Sequence, residues 1–61
     1  MRVKRKGGRA RWKDRSGRIY EWDSRHGTIE LYDALGWHIG EYDHVTGNRL
    51  KPSEATRRVE P

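Results

Sequence analysis

The chain has 61 residues, of which 14 are Lys or Arg and nine are Asp or Glu, so its formal net charge is +5, and it contains no cysteine. This length allows one domain with a small core, because a chain of about this size buries only about 60% of the surface that it exposes when unfolded. The lack of cysteine excludes disulfides and thiolate metal sites, and no apolar run approaches the roughly 20 residues of a membrane-spanning helix.

The chain begins with a basic segment. Residues 1–8 end in Gly7 and Gly8, which predicts a flexible basic arm followed by a single folded domain at 9–61. No hydrophobic region follows the basic residues, so we expect no secretory signal.

Short runs of alternating polarity follow the arm, separated by turns that contain glycine. They cover residues 9–13, 18–23, 28–33, 37–43 and, as a candidate fifth run, 49–51. The first two runs flank a short polar loop and predict a β-hairpin. Four to five short strands in succession predict a mainly β fold, a small and highly twisted antiparallel sheet with meander order. From Pro52 the chain reads as an irregular basic tail.

The alternation also predicts which side chains share a face of the sheet. In the third run, Ile29 and Leu31 point one way, and Glu30 points the other way together with Tyr32. We expect the face that carries the aliphatic groups to be buried and the other face to be polar. Core positions, rather than base-stacking positions, are expected for the three tryptophans, Trp12, Trp22 and Trp37.

Basic segments flank an acidic middle. Lys and Arg dominate residues 2–18 and 49–58, whereas Asp and Glu dominate residues 19–46. Cationic segments with interleaved aromatic residues attract phosphates and indicate nucleic-acid binding, although solvated surface arms have the same composition. The candidate RNA-binding residues are Arg9, Arg11, Lys13, Arg18, Tyr32, Lys51 and Arg58.

Three titratable residues, Asp23, His26 and Glu30, lie close together in the acidic middle. Cleaving RNA without a metal requires a base for the ribose 2′-hydroxyl, an acid for the leaving 5′-oxygen and a cation for the phosphorane. Glu30 could be the base and His26 the acid, because histidine exchanges protons near neutral pH. Asp23 is placed to orient the imidazole, and Arg57 is one of several arginines that could supply the cation.

Each of these residues also has a purely structural interpretation. His26 beside Gly27 is typical of an exposed turn histidine, Glu30 of a surface charge, and Asp23 of a residue that caps its turn. His26, His38 and His44 have no recognised metal-ligand spacing, so we expect neither a metal site nor a cofactor.

The motifs resemble a known family. YEWDSRHG at residues 20–27, followed by Glu30 and Tyr32, and then TGNRLK at residues 46–51 resemble the cytotoxic domain of the ribosome-cleaving colicins. The resemblance extends over about residues 7–59.

The resemblance implies a highly twisted antiparallel β-sheet and a bacterial endoribonuclease toxin. Such a toxin cuts small-subunit ribosomal RNA at the decoding A-site by metal-independent transesterification and so inhibits translation in the bacterial cytoplasm. It implies that Glu30 is the base, His26 the acid and Asp23 an electrostatic partner. The family arginine falls on Arg57, or on Arg58 if the register of the tail slips by one residue.

The resemblance further implies two partners, the ribosome and an acidic immunity protein or antitoxin. The family domain carries an additional helical segment before the basic stretch, and the docking surface of the inhibitor stays open for this chain. So does the route of delivery, since a module of a larger secreted toxin and an intracellular toxin with its antitoxin both fit. The residues themselves leave two rival functions, a non-catalytic RNA- or ribosome-binding β module and a DNA-binding module.

Overall fold

The computed structural model describes residues 10–61 and the backbone of residues 2–4. Its strands are β1 Arg2–Lys4, β2 Ala10–Lys13, β3 Ile19–Asp23, β4 Thr28–Tyr32, β5 His38–Asp43 and β6 Arg49–Lys51. They form one six-stranded sheet in chain order, in which every neighbouring pair is antiparallel. The molecule measures 23 × 23 × 22 Å, whereas a flat single sheet would be much thinner than it is wide. The predicted meander is therefore confirmed, and its sheet is strongly twisted.

Strand β1 lies within the segment predicted to be a flexible arm. It pairs with β2, with Arg2 opposite Trp12 and Lys4 opposite Ala10. The remainder of that predicted arm, together with Arg9, lies outside the described residues. Among the residues that are described there is no helix that could cross a membrane.

Four hairpin turns are built in the same way, by an aspartate that closes each turn with its side chain. Backbone N–H groups two residues further on donate to the carboxylates of Asp14, Asp23, Asp33 and Asp43 at 3.0, 3.0, 2.9 and 2.8 Å. A glycine with positive φ completes each turn, namely Gly17, Gly27, Gly36 and Gly47. This repeated Asx turn explains why the strand boundaries follow so closely from the sequence.

The buried face of the sheet is the polar one, so the predicted burial is wrong. On β4, Thr28, Glu30 and Tyr32 are buried, whereas Ile29 and Leu31 are half-exposed. The alternation itself is as predicted, and only the assignment of the core face is reversed.

The C-terminal tail covers the polar face and explains this reversal. The backbone N–H of Val59 donates to the carbonyl of Gly36 at 2.8 Å, and Arg58 forms a β-bridge with Trp37. Further along, the Arg11 guanidinium donates to the carbonyl oxygen of Glu60. The tail, irregular as predicted, therefore forms a lid of backbone over β2 and the start of β5.

The tryptophans contribute less to the core than expected. Trp37 is 44% exposed, so its predicted core position is wrong, and the Arg58 guanidinium stacks over its ring at 5.4 Å. Trp12 and Trp22 are half-buried on the other face of the sheet. The fully buried large side chains are instead Ile19 and Tyr32.

Candidate active site

A row of charged residues crosses the polar face from strand to strand. Arg11 lies opposite Glu21, Glu21 opposite Glu30, Glu30 opposite Glu41, and Glu41 opposite Lys51. Arg11 and the three glutamates are no more than 8% exposed. Carboxylates on directly opposed strand positions repel each other. The three acids therefore need cations and hydrogen-bond donors nearby, and the ends of the row and the tail supply them.

The Glu30 carboxylate is held at both of its oxygens. Oε1 lies 2.8 Å from Nε2 of His38, and Oε2 accepts a hydrogen bond from Nη1 of Arg57 at 3.0 Å. The side chains of Glu30 and His38 are 8% and 2% exposed, whereas that of Arg57 is 36% exposed. One oxygen thus faces the interior, and the other faces a cation that reaches solvent.

His38 joins the tail to the sheet. Its backbone N–H donates to the carbonyl of Arg57 at 3.0 Å, and its ring Nδ1 accepts from the backbone N–H of Glu54 at 3.1 Å. The imidazole packs edge-on against the Tyr32 ring, with 5.3 Å between the centroids. Both ring nitrogens therefore have a defined partner in the interior.

Asp23 and His26 form a second pair at the end of β3. Oδ1 of Asp23 accepts the backbone N–H of Arg25 at 3.0 Å, and Oδ2 lies 2.7 Å from Nδ1 of His26. The Asp23 side chain is 6% exposed and the His26 side chain 70%. The same carboxylate thus caps the turn through one oxygen and contacts the imidazole through the other.

One cleft of about 380 Å³ brings the four predicted catalytic residues together. Its lining includes Asp23, His26, Glu30 and Arg57, and also Thr28, Glu41, Leu50 and Lys51. A separate cavity of about 260 Å³, on the opposite face, is lined mainly by Tyr20, Ile29, Leu31 and Tyr42 and contains none of the predicted catalytic residues. The cleft on the polar face therefore combines an imidazole, carboxylates and cations.

Electrostatics fix the protonation of Arg57, which lines this cleft, and of Tyr32, whose buried ring lies beneath Arg57. Burial acts to lower the pKa of the Arg57 guanidinium, but Tyr32 and the Glu30 carboxylate outweigh this effect and raise the pKa. Burial raises the pKa of the Tyr32 hydroxyl, which the Arg57 charge partly offsets. At neutral pH Arg57 is therefore a cation and Tyr32 is neutral.

Two predicted RNA-binding residues are not accessible. Tyr32 has no exposed surface, and its buried hydroxyl has no hydrogen-bond partner among the described residues. Arg11 is 6% exposed. In this conformation neither side chain is available to RNA. Tyr32 instead supports His38, while Arg57 lies over its ring at 5.7 Å.

The other predicted RNA-binding residues within the described part of the chain retain exposed or half-exposed surface. The Lys51 side chain is 74% exposed at the cleft, 3.6 Å from Glu41, and Arg18 pairs with Asp14 at 2.9 Å. Lys13 is half-buried and Arg58 exposed. Arg57 is the arginine that contacts Glu30, whereas Arg58 Nε donates to the carbonyl of Leu35.

Sequence reasoning missed His38 and Glu41 as members of the site. The sequence marks His38 only as one of three histidines without metal-ligand spacing, and it gives no sign that His38 contacts Glu30. The pairing of β4 with β5 places His38 opposite Tyr32 and Glu41 opposite Glu30. Pairing the third and fourth predicted runs as a hairpin could have found Glu41, whereas a register shift after Leu31 displaces His38 from its expected partner.

Comparison with known proteins places this chain in a class of bacterial cytotoxic domains. The family model described as Cytotoxic matches residues 2–60, and the chain belongs to this family. It is 49% identical over 55 residues to both Colicin E3 and Colicin-E6 of Escherichia coli, and 46% identical over 55 residues to Cloacin of Escherichia coli. Each alignment covers 87% of this chain and 10% of the relative, so the chain spans about a tenth of their length. The resemblance found in the sequence is confirmed.

Proposed function

We propose that the protein is a ribonuclease toxin that cleaves small-subunit ribosomal RNA at the decoding A-site without a metal ion. The observation that carries the proposal is the single cleft in which a hydrogen-bonded Asp23–His26 pair lies beside a carboxylate, Glu30, that is bound by a cation, Arg57. Membership of the Cytotoxic family and the similarity to colicins support the toxin class.

In the proposed reaction Glu30 takes the proton of the ribose 2′-hydroxyl, and the 2′-oxygen forms a bond to phosphorus. The bond from phosphorus to the 5′-oxygen breaks, and His26 donates a proton to that oxygen. The products are a 2′,3′-cyclic phosphate and a 5′-hydroxyl. Asp23 engages Nδ1 of His26 at 2.7 Å, which leaves Nε2 as the nitrogen that delivers the proton.

Arg57 has a double role in this proposal. Its guanidinium carries several N–H donors, so it can keep Glu30 and at the same time bind a phosphate oxygen as charge accumulates on the phosphorane. Its side chain is 36% exposed and therefore accessible from the cleft. Lys51 lines the same cleft and would contact a neighbouring phosphate.

Two partners follow from the proposal, the ribosome as target and an acidic immunity protein or antitoxin as inhibitor. The net charge of +5 favours both a phosphate-rich target and an acidic inhibitor. The protein would act in the bacterial cytoplasm, where its target is found.

Primer extension on ribosomal RNA, after intact ribosomes are incubated with the protein, tests the proposal. We expect one discrete stop near the decoding centre, lost in Glu30→Gln and His26→Ala and retained in Glu54→Gln. Glu54 is an exposed glutamate that contributes its backbone rather than its carboxylate to the site. Ribosomes that are bound but not cut by the wild-type protein would instead favour a non-catalytic ribosome-binding module.

The class of nucleic acid is tested with a short RNA that contains the cut sequence. A 2′-deoxy substitution at the ribose on the 5′ side of the cleaved phosphate removes the nucleophile, so cleavage should stop while binding persists. Cutting of the deoxy substrate would contradict the proposed reaction.

A further inference from the structure

We infer that His38 is a positioning residue, whose imidazole is fixed as the Nε2–H tautomer by the backbone of Glu54 and holds the Glu30 carboxylate in the orientation needed for proton abstraction. The inference rests on the proposed function and assigns a role to a residue outside the predicted catalytic set. His38 would act through Glu30, without touching the RNA.

The tautomer follows from the partners of the two ring nitrogens. The backbone N–H of Glu54 can only donate, so Nδ1 of His38, 3.1 Å away, must accept and carries no proton. The proton of the neutral ring is then on Nε2, which donates to Oε1 of Glu30 at 2.8 Å. A proton on Nδ1 would point at the Glu54 N–H and break this arrangement.

Burial turns this hydrogen bond into an orientation constraint. The His38 side chain is 2% exposed, and the fully buried Tyr32 ring supports it edge-on. The His38 ring cannot rotate unless the core opens. Water likewise cannot replace it as the partner of Oε1 of Glu30. Glu30 is therefore aimed from the interior side by a donor that has little freedom to move.

The contrast with Arg57 explains why a second donor matters. Arg57 is the partner of the other Glu30 oxygen, but its side chain is partly exposed and lies at the cleft. A phosphate in the cleft shares this guanidinium with Glu30, so Arg57 alone does not fix the direction of the carboxylate. His38 has no access to the phosphate, so its bond to Glu30 persists in the complex and preserves the direction of the base.

The backbone of His38 connects the base to the cation. Its N–H donates to the carbonyl of Arg57, while its ring accepts from Glu54 three residues earlier in the tail. One residue of β5 thus fixes Glu30 on β4 and also the segment that delivers Arg57. A histidine that merely fills the core would not need hydrogen bonds to both.

Two substitutions separate a positioning role from simple packing. In His38→Gln the terminal amide can reach the place of Nε2 and donate to Glu30. In His38→Asn the shorter amide can accept from Glu54 in the place of Nδ1, but it does not reach Glu30. Both variants lose the same ring contact with Tyr32, so each is the packing control for the other.

The measurement is the rate of ribosome cleavage over a range of ribosome concentrations, which gives kcat and KM, alongside thermal unfolding. We expect kcat to fall about 10²-fold in His38→Asn, with KM nearly unchanged, because a base misplaced by about 1 Å costs about this factor. His38→Gln should stay within roughly tenfold of wild type. Equal losses in the two variants, a loss confined to KM, or a loss that follows thermal stability would overturn the inference.

A second measurement does not depend on activity. Imidazole ¹⁵N NMR of the wild-type protein at neutral pH should show His38 protonated at Nε2 and unprotonated at Nδ1. A proton on Nδ1 would overturn the inference. If the wild-type protein shows this tautomer but does not cut ribosomes, the geometry holds while the proposed function and the catalytic part of the inference both fail.

Discussion

The Asp23 carboxylate divides its two oxygens between the backbone of its own turn and the ring of His26. Asp14, Asp33 and Asp43 begin their turns with the same backbone hydrogen bond. At Asp23 the second oxygen lies 2.7 Å from His26, so a recurring element of the fold becomes part of the candidate site. The candidate site therefore makes use of the same kind of turn that joins the strands from β2 to β6.

This division predicts the behaviour of Asp23→Asn. The amide oxygen can still accept the Arg25 N–H, so the turn should form and thermal stability should stay close to wild type. The negative charge beside His26 is lost, and cleavage should fall by about 10²-fold or more, as when an orienting carboxylate is neutralised in other acid–base sites. Ribosome cleavage rates and thermal unfolding of the two proteins measure this.

Asp33→Asn is the matched control for that experiment. Asp33 makes the same kind of turn, accepting the N–H groups of Leu35 and Trp37 at 2.9 Å, but lies outside the cleft. The Asp33→Asn variant should cleave ribosomes at the wild-type rate. A comparable loss of activity in both variants would mean that Asp23 serves the turn alone.

Glu41 places a third carboxylate in the cleft, beside those of Asp23 and Glu30, and restrains Lys51. Its Oε2 accepts the Thr28 hydroxyl at 2.8 Å, and its Oε1 lies 3.6 Å from Nζ of Lys51. In Glu41→Gln the amide oxygen keeps the Thr28 bond, but a negative charge next to the phosphate site is removed. An uncleavable deoxy RNA should bind roughly fivefold more tightly, the factor expected for about 1 kcal/mol of relieved repulsion.

The salt dependence identifies the origin of that gain. Releasing Lys51 to a phosphate should steepen the slope of log affinity against log salt by about one unit. Adding Lys51→Ala to the Glu41→Gln variant should remove the extra slope. Unchanged affinity in Glu41→Gln would show that Lys51 already neutralises this charge.

The shifted pKa of the Asp14 carboxyl should make the stability of the protein depend on pH. Desolvation acts to raise the pKa of its carboxyl, but hydrogen bonds from Ser16, Tyr20 and Arg18 outweigh it and hold the pKa well below its ordinary value. A depressed pKa in the folded state stabilises the protein above the unfolded-state pKa of about 4 and loses this contribution as the pH falls. Asp14→Ala should therefore unfold at lower denaturant concentration at pH 7, with a gap that narrows below about pH 4.

Glu54→Ala is the control variant, because it removes a carboxylate from an exposed residue of the tail. Its denaturant midpoint should stay close to that of wild type at pH 7. A gap for Asp14→Ala that stays the same from pH 7 to pH 3 would contradict the role assigned to the Asp14 charge.

The local parts of this molecule were predictable, and the parts that depend on the tail were not. Asp and Gly at each turn fix the strand limits, and a short segment of sequence supplies Asp23, His26 and Glu30 together. Which face is buried depends on residues 52–61, whose irregular backbone has no periodicity to interpret. The alternation therefore predicted the faces correctly but assigned the core to the wrong one.

The same limit applies to individual residues of the site. Arg57 and Arg58 are equivalent by charge, and only the docking of the tail decides which one contacts Glu30. His38 reaches Glu30 through a sheet register that shifts after Leu31, and alternation alone does not encode such a shift.

Gly36 makes the position of the tail testable. It has φ +92°, and a Cβ atom there would lie 1.9 Å from the carbonyl oxygen of Val59. Gly36→Ala therefore combines left-handed backbone strain of about 1–2 kcal/mol with displacement of the tail. Since the tail carries Arg57, kcat should fall at least about tenfold even at temperatures where the variant is folded.

Gly47→Ala provides the comparison, because it carries the same kind of strain without the clash. Gly47 has φ +75°, and nothing lies within 4 Å of a Cβ atom there. Its thermal midpoint should fall, whereas its cleavage rate below that midpoint should match wild type. If both alanine variants cut ribosomes equally well, the tail can shift at Val59 without moving Arg57, and the anchoring of the cation would depend on His38 and Glu54 alone.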